Sequence, residues 1–141
     1  MADMTQSIKP ENIEVLLLFL PVFEDRQFRP GEVVRRQGQL PYWDYDSRVV
    51  RFIRALYDNG WIVDFAWTEW QREAKRYWND PGLIGEADLD VIQKLFTTLV
   101  RRDRFVDGHL AEAISNGHVV AILRRLKEFF TSDFYSLNKE S

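Results

Sequence analysis

The chain has 141 residues, a length that fits one domain. Its net charge is −3 and its sequence pI is about 5.4, which argues against a general polyanion binder. It contains no cysteine, so disulfides, thiolate zinc sites and cysteine nucleophiles are excluded. The longest early apolar run, residues 15–20, is far shorter than the ~20 residues that a bilayer requires. We therefore expect a cytoplasmic protein without a membrane segment.

An apolar helix and a segment rich in helix breakers occupy the first third of the chain. Pro10 suits the first turn of a helix, and the apolar residues that follow lie on nearly all its faces. Such a pattern predicts a central, buried helix that ends before Pro21. Residues 28–46 combine prolines and glycines with several aromatics, which predicts an irregular, aromatic-rich loop between the first and second helices. A short strand pair is left open there.

Residues 46–78 carry two helical patterns and four of the five tryptophans. Asp46 or Ser47 can cap the second helix. Gly60 is predicted to end it with a positive φ, a conformation that glycine adopts without strain. Asp64 is then expected to cap the third helix.

The tryptophans of this segment form a candidate aromatic contact surface. Trp67 and Trp70 share one helical stripe, and Trp70 is expected to be largely buried. Trp61 and Trp78 fall outside that stripe, so one or both are expected to be partly exposed at a groove or interface.

Three more helices complete the pattern. The fourth begins at Gly85 or Glu86, a short fifth is capped by Asp107, and the last runs from about residue 118 to 130. The connections are short.

The whole pattern predicts an all-α protein. We expect a single compact domain of five to six helices over residues 1–141. Residues 1–7 and 134–141 are expected to be frayed tails.

A polar corner follows the fourth helix. Its apolar stripe at positions 92, 96 and 99 continues to Asp103, so a carboxylate falls where an apolar residue is expected. One interpretation is an anion or nucleotide site with His109 as general base. The favoured interpretation is structural: an arginine and free N–H groups of the next helix hold Asp103. The candidate residues are Arg101, Arg102, Asp103, Arg104, His109 and Glu112.

Metal and nucleic-acid sites are weaker candidates. His109 and Glu112 have i,i+3 spacing, but a second such pair is lacking, so neither a metal nor a cofactor is predicted. The arginine face of the second helix, Arg48, Arg51 and Arg54, could contact phosphates. Pairing of Arg54 with Asp58 and the acidic net charge favour a solvated face instead, so nucleic acid is disfavoured as a partner.

Two segments carry a resemblance to a known family. LYDNGWIVDFAWTEW (residues 56–70) and LVRRDRFVDGHLAEAISNGHVVAILRRL (residues 99–126) resemble a family of small, all-helical prokaryotic proteins classed as a domain of unknown function. The resemblance extends over about residues 15–127. It implies one compact prokaryotic domain, and it carries over no catalytic residue.

The favoured hypothesis is a small intracellular binding or protein-interaction module, with a protein partner or a second copy of the chain. One alternative is a small enzyme or anion-binding protein that uses the Arg101–His109 corner, although catalysis is disfavoured. The other is a nucleic-acid accessory protein that uses the face of Arg48, Arg51 and Arg54.

Overall fold

The computed structural model describes residues 8–134 and is mainly helical. Its α-helices are α1 (Pro10–Leu17), α2 (Leu20–Glu24), α3 (Ser47–Asp58), α4 (Gln71–Asn79), α5 (Leu89–Asp103), α6 (His109–Ser115) and α7 (His118–Glu128). Two strands, β1 (Gly31–Val34) and β2 (Tyr42–Tyr45), lie between α2 and α3. Two 3₁₀ helices (Trp67–Trp70 and Pro81–Glu86) and a π-helix (Phe129–Phe134) complete the set. The predicted frayed tails lie outside the described residues, except Phe134, which ends the π-helix.

The helix α5 is the most deeply buried element. Eight of its fifteen residues are buried, and they point in every direction around its axis. A helix with this pattern lies inside the core. The expectation that the first helix is the central one is wrong: in α1 only Ile13 and Leu16 are buried, and Leu18 just after it is 71% exposed.

Pro21 does not stop the first helical region in the predicted way. The helix α1 already ends at Leu17, and α2 then begins at Leu20 with Pro21 in its first turn. Proline is tolerated there because the first N–H groups of a helix have no intrahelical acceptor.

The predicted irregular loop is a β-hairpin. Strands β1 and β2 pair antiparallel, with Gly31 opposite Tyr45 and Val34 opposite Tyr42. Along β2 exposure alternates, so that Trp43 and Tyr45 face the protein. Four residues per strand are too few for periodicity alone to distinguish a strand from a structured loop. Among the described residues these strands form the only sheet, and the fold remains mainly helical.

The ends of α3 follow the local signals of the sequence. The carboxylate of Asp46 accepts the backbone N–H of Arg48 at 2.8 Å and caps the helix. After the helix, Gly60 has a φ of +78°, as predicted.

Three other predicted helix starts are wrong. Asp64 is exposed and is not the cap of the next helix, because that helix begins with the 3₁₀ turn at Trp67. Gly85 and Glu86 belong to a 3₁₀ helix; α5 starts later, and Asp88 caps it by accepting the N–H of Val91 at 2.8 Å. Helix α6 follows Gly108 rather than Asp107.

The break after α3 supplies a stability prediction. Gly60→Val is expected to lower the free energy of unfolding by about 1–2 kcal/mol, because an L-residue in the left-handed region is strained by that amount. Asp64→Ala is expected to change it by less than about 0.5 kcal/mol, as for an ordinary surface substitution. Urea unfolding of both variants measures the difference. A larger loss for Asp64→Ala than for Gly60→Val would contradict this account.

Candidate functional site

The carboxylate of Asp103 joins three parts of the chain at the corner between α5 and α6. Its Oδ1 accepts the hydroxyl of Tyr45 at 2.5 Å and the backbone N–H of Leu110 at 2.9 Å. The predicted N–H partner from the next helix is therefore present. The predicted arginine partner is wrong, because the hydroxyl of Tyr45 takes that place.

The environment keeps Tyr45 protonated. Burial, then the hydrogen bond to Asp103, raise the pKa of Tyr45 far above its usual value. A protonated phenol can only donate to an ionised carboxylate, so the direction of this hydrogen bond is set.

The β-hairpin makes a second contact with the same corner. The carboxylate of Asp107 accepts the backbone N–H of Trp43 at 2.8 Å, and the indole of Trp43 lies against Gly108. Trp43 also stacks on Tyr45, with ring centroids 6.3 Å apart. Sequence reasoning missed these two aromatics as corner residues. Their i,i+2 spacing, which places both on one face of a strand, was the available signal.

The three arginines of the corner do not converge. The guanidinium of Arg101 lies 6.0 Å from the ring centroid of Tyr57, and Arg104 donates to the hydroxyl of Tyr57 at 3.2 Å. Arg102 instead donates to the side chain of Gln71 on α4 at 2.8 Å. Arg101 and Arg104 therefore share Tyr57 as a partner, while Arg102 is held by α4.

A cleft of about 230 Å³ lies between α4 and the segment from the end of α5 to the start of α7. We call it the histidine cleft, because it contains both histidines of the sequence. Three predicted corner residues line it, Arg102, His109 and Glu112. The remaining lining residues are Gln71, Lys75, Trp78, Asn79, Leu99, Ala113, Asn116 and His118.

His109 lines this cleft and has a buried polar atom without a hydrogen-bond partner among the described residues. Its Nε2 is buried, and no described residue forms a hydrogen bond with it. Burial, and secondly the guanidinium of Arg102, lower the pKa of His109. The imidazole is therefore neutral near pH 7, and Nε2 can donate or accept according to its tautomer. Leaving such a group unpaired costs about 1–3 kcal/mol.

Trp78 and His118 form one wall of the cleft. Their ring centroids are 5.2 Å apart, and the ring planes are inclined by 32°. Trp78 is half-buried, which agrees with the predicted partial exposure of one tryptophan outside the stripe. Sequence reasoning did not place His118 or Lys75 in the site, since neither lies near the corner in the sequence.

The other three tryptophans of the predicted contact surface behave differently. Trp61 is fully buried, and its Nε1 donates to the carbonyl of Asn12 at 3.0 Å, so its predicted place on a contact surface is wrong. The extended segment after Gly60 has no helical phase, and it directs the indole into the core. Trp67 and Trp70 are half-buried, which makes Trp70 more exposed than expected.

Neither a cluster of metal-ligating side chains nor a membrane-spanning helix is found within residues 8–134. No group of three or more metal-ligating side chains occurs among these residues. None of the described helices combines the length and the apolar character needed to cross a bilayer.

The fold and the cleft define a small, mainly helical protein with a partly polar cavity at one inter-helix corner. The chain belongs to a family of unknown function (DUF6508), whose model matches residues 8–132. This confirms the resemblance seen in the sequence. Neither the curated proteins nor the solved structures contain a match to this chain.

Proposed function

We propose that this protein is a small intracellular binding module whose histidine cleft holds a small organic anion. One observation carries the proposal: the side chains of Lys75, Arg102 and His109 come from three different helices and border one cavity, and Nε2 of His109 has no hydrogen-bond partner among the described residues. Convergence of a few polar groups on a cleft is the usual mark of a ligand site.

The charges around the cleft favour an anion. Lys75 and Arg102 are positive, Glu112 is negative and exposed, and His109 is neutral near pH 7. The hydrogen bond to Gln71 orients the guanidinium of Arg102 and engages one of its five N–H donors. The remaining donors suit the two oxygens of a carboxylate.

The size and shape of the cleft limit the rest of the ligand. A volume of about 230 Å³ lies below the usual range of about 300–1,000 Å³ for drug-sized ligands. The ring wall of Trp78 and His118 supplies a broad aromatic surface, while Leu99 and Ala113 supply apolar contact. These features fit a small planar body that carries one carboxylate.

Thermal shift and titration calorimetry with benzoate test this proposal. At ten times its Kd, benzoate is expected to stabilise the protein by about 1.4 kcal/mol and to raise Tm by roughly 4 °C. Benzamide, which has the same shape without the charge, is expected to bind much more weakly. Lys75→Met and Arg102→Gln are expected to reduce benzoate binding, because each removes a cation from the cleft.

Lys127→Met is the matched control, since it removes an exposed lysine of α7 that does not line the cleft. Equal shifts with benzoate and benzamide would contradict an anion site. Full retention of benzoate binding in Arg102→Gln would also contradict it.

A cytoplasmic location, a prokaryotic source and a protein partner or second copy stay predictions from the sequence.

A further inference from the structure

Trp67 and Phe105 form a stacked pair at the surface, which we call the aromatic ridge. Their ring centroids are 6.0 Å apart, with an angle of 28° between the ring planes. Phe105 is 77% exposed, and the neighbouring Val106 is 44% exposed. Large apolar side chains grouped at a surface with polar residues around them are typical of interaction sites.

Two hollows adjoin the aromatic ridge. One has a volume of about 310 Å³ and is bordered by Arg101 and Arg104, with Asp64 as its acidic residue. The other has a volume of about 360 Å³ and is bordered by Arg102. Both hollows include Trp67 and Phe105, so the ridge presents aromatic surface with arginines on more than one side.

Arg101 and Arg104, next to the ridge, are held in place by Tyr57 and form no ion pair among the described residues. Arg101 lies over the ring of Tyr57, and Arg104 donates to its hydroxyl at 3.2 Å. No ion pair is found for either arginine within residues 8–134. A half-exposed tyrosine therefore orients two guanidinium groups that have no carboxylate partner.

Two exposed arginines of α3 extend the row of cations beyond Tyr57. Arg54 lies one helical turn before Tyr57, and Arg51 lies one turn before Arg54, so the three share a face. Both arginines are exposed. The predicted pairing of Arg54 with Asp58 is not formed in the part of the chain that the structure describes. Arg48 is engaged by Asp46 at 2.9 Å and does not belong to this row.

We propose that the aromatic ridge binds single-stranded nucleic acid. Unpaired bases would stack on Trp67 and Phe105, and the phosphates would contact Arg101, Arg104 and then Arg54. Aromatic stacking platforms combined with a row of cations are the usual means of binding single strands without sequence preference. The net charge of −3 makes this binding weak and steeply salt-dependent, but the local charge is positive.

Other occupants fit the same surface less well. A second copy related by a two-fold axis would bring two copies of this arginine-bearing patch together, with Asp64 as the acidic residue of its first hollow. A duplex keeps its bases stacked inside and offers no free base faces to Trp67 and Phe105. An acidic peptide matches the arginines but carries no regular series of flat rings.

Fluorescence anisotropy with the full chain and a labelled oligothymidine at low salt tests the proposal. Phe105→Ala is expected to weaken binding by about 5- to 150-fold, the effect of losing one base–aromatic stack. Leu18→Ala is the matched control, because Leu18 is 71% exposed on another part of the surface. It is expected to leave the affinity unchanged.

The salt dependence tests the arginine contacts separately. Arg104→Gln is expected to lower the slope of log K against log salt by about 0.7, the value for one phosphate contact with a single strand. Arg26→Gln removes the same charge from an exposed position after α2 and is expected to keep the wild-type slope.

Several results would overturn the proposal. The oligonucleotide would fail to bind at low salt, or Phe105→Ala would bind it with unchanged affinity. Alternatively, thymidine monophosphate or polyglutamate would compete as effectively as unlabelled oligonucleotide. Sedimentation that shows a dimer abolished by Phe105→Ala, without oligonucleotide binding, would assign the ridge to a second copy. None of these results depends on the histidine cleft, so this test is independent of the benzoate experiments.

Discussion

Asp103→Ala is expected to lower the free energy of unfolding by about 3 kcal/mol and Tm by roughly 10 °C. The carboxylate accepts hydrogen bonds from Tyr45 and from the N–H of Leu110, and hydrogen bonds to a charged group contribute about 1.5–3 kcal/mol each. Two such bonds would together contribute about 3–6 kcal/mol, and the partial exposure of Asp103 places the loss near the lower end of this sum. Denaturant unfolding and thermal melting of the full chain measure the loss.

Two companion variants show whether the loss arises at this carboxylate. Tyr45→Phe removes one of its two donors and is expected to cost about half as much as Asp103→Ala. His109→Ala is expected to be nearly neutral for stability, because no described residue bonds its Nε2. An Asp103→Ala protein that melts within a degree or two of wild type would show that the corner does not depend on this residue.

The dependence on alkaline pH provides a further check of the same contact. The pKa of Tyr45 is raised in the folded protein, so its contribution to stability is fully present below the unfolded value of about 10. That contribution is lost as the pH rises above about 10, because only the unfolded chain then releases the proton. Tyr45→Phe is expected to remove this part of the alkaline loss of stability. An identical alkaline profile for both proteins would argue against a raised pKa.

Gly108→Ala is the second substitution with a large expected effect, about 2–4 kcal/mol of lost stability. Gly108 has a φ of +83°, a backbone conformation that costs an L-residue about 1–2 kcal/mol. An added Cβ would also overlap three atoms of the Trp43 indole, the farthest of them Cε2 at 2.8 Å. The indole would have to move, and the hairpin would lose its contact with the corner. Urea unfolding measures the loss.

Gly117→Ala is a matched control for this effect. Gly117 has a nearly identical φ of +86°, but an added Cβ there meets nothing within 4 Å. Gly117→Ala should therefore lower the free energy of unfolding only by the cost of the left-handed backbone conformation. If the indole causes the excess, Gly108→Ala in a Trp43→Ala background should cost no more than Gly117→Ala. An equal cost of the two glycine substitutions in the wild-type background would exclude the steric contribution of Trp43.

The local signals of the sequence were sufficient for most of the helices and some of their ends, although residues 8–134 contain seven α-helices where five to six were expected. The cap at Asp46 and the left-handed Gly60 were predicted because each depends on a few adjacent residues. The helical phase of α5 predicted an inward Asp103; the residue is half-buried, and its carboxylate accepts from Tyr45 and Leu110. The family motifs likewise lie within continuous segments, so the amino-acid sequence by itself was enough to show the resemblance.

Tertiary structure alone decided which distant residues meet. The partner of Asp103 is Tyr45, 58 positions away, and the sequence suggested a neighbouring arginine instead. The histidine cleft joins Lys75 and Trp78 on α4 with His118 on α7. Trp61 was placed wrongly because it follows a break, where helical phase no longer indicates direction. Periodicity and capping act over one or two helical turns, whereas packing of the core sets contacts between segments that are far apart in the chain.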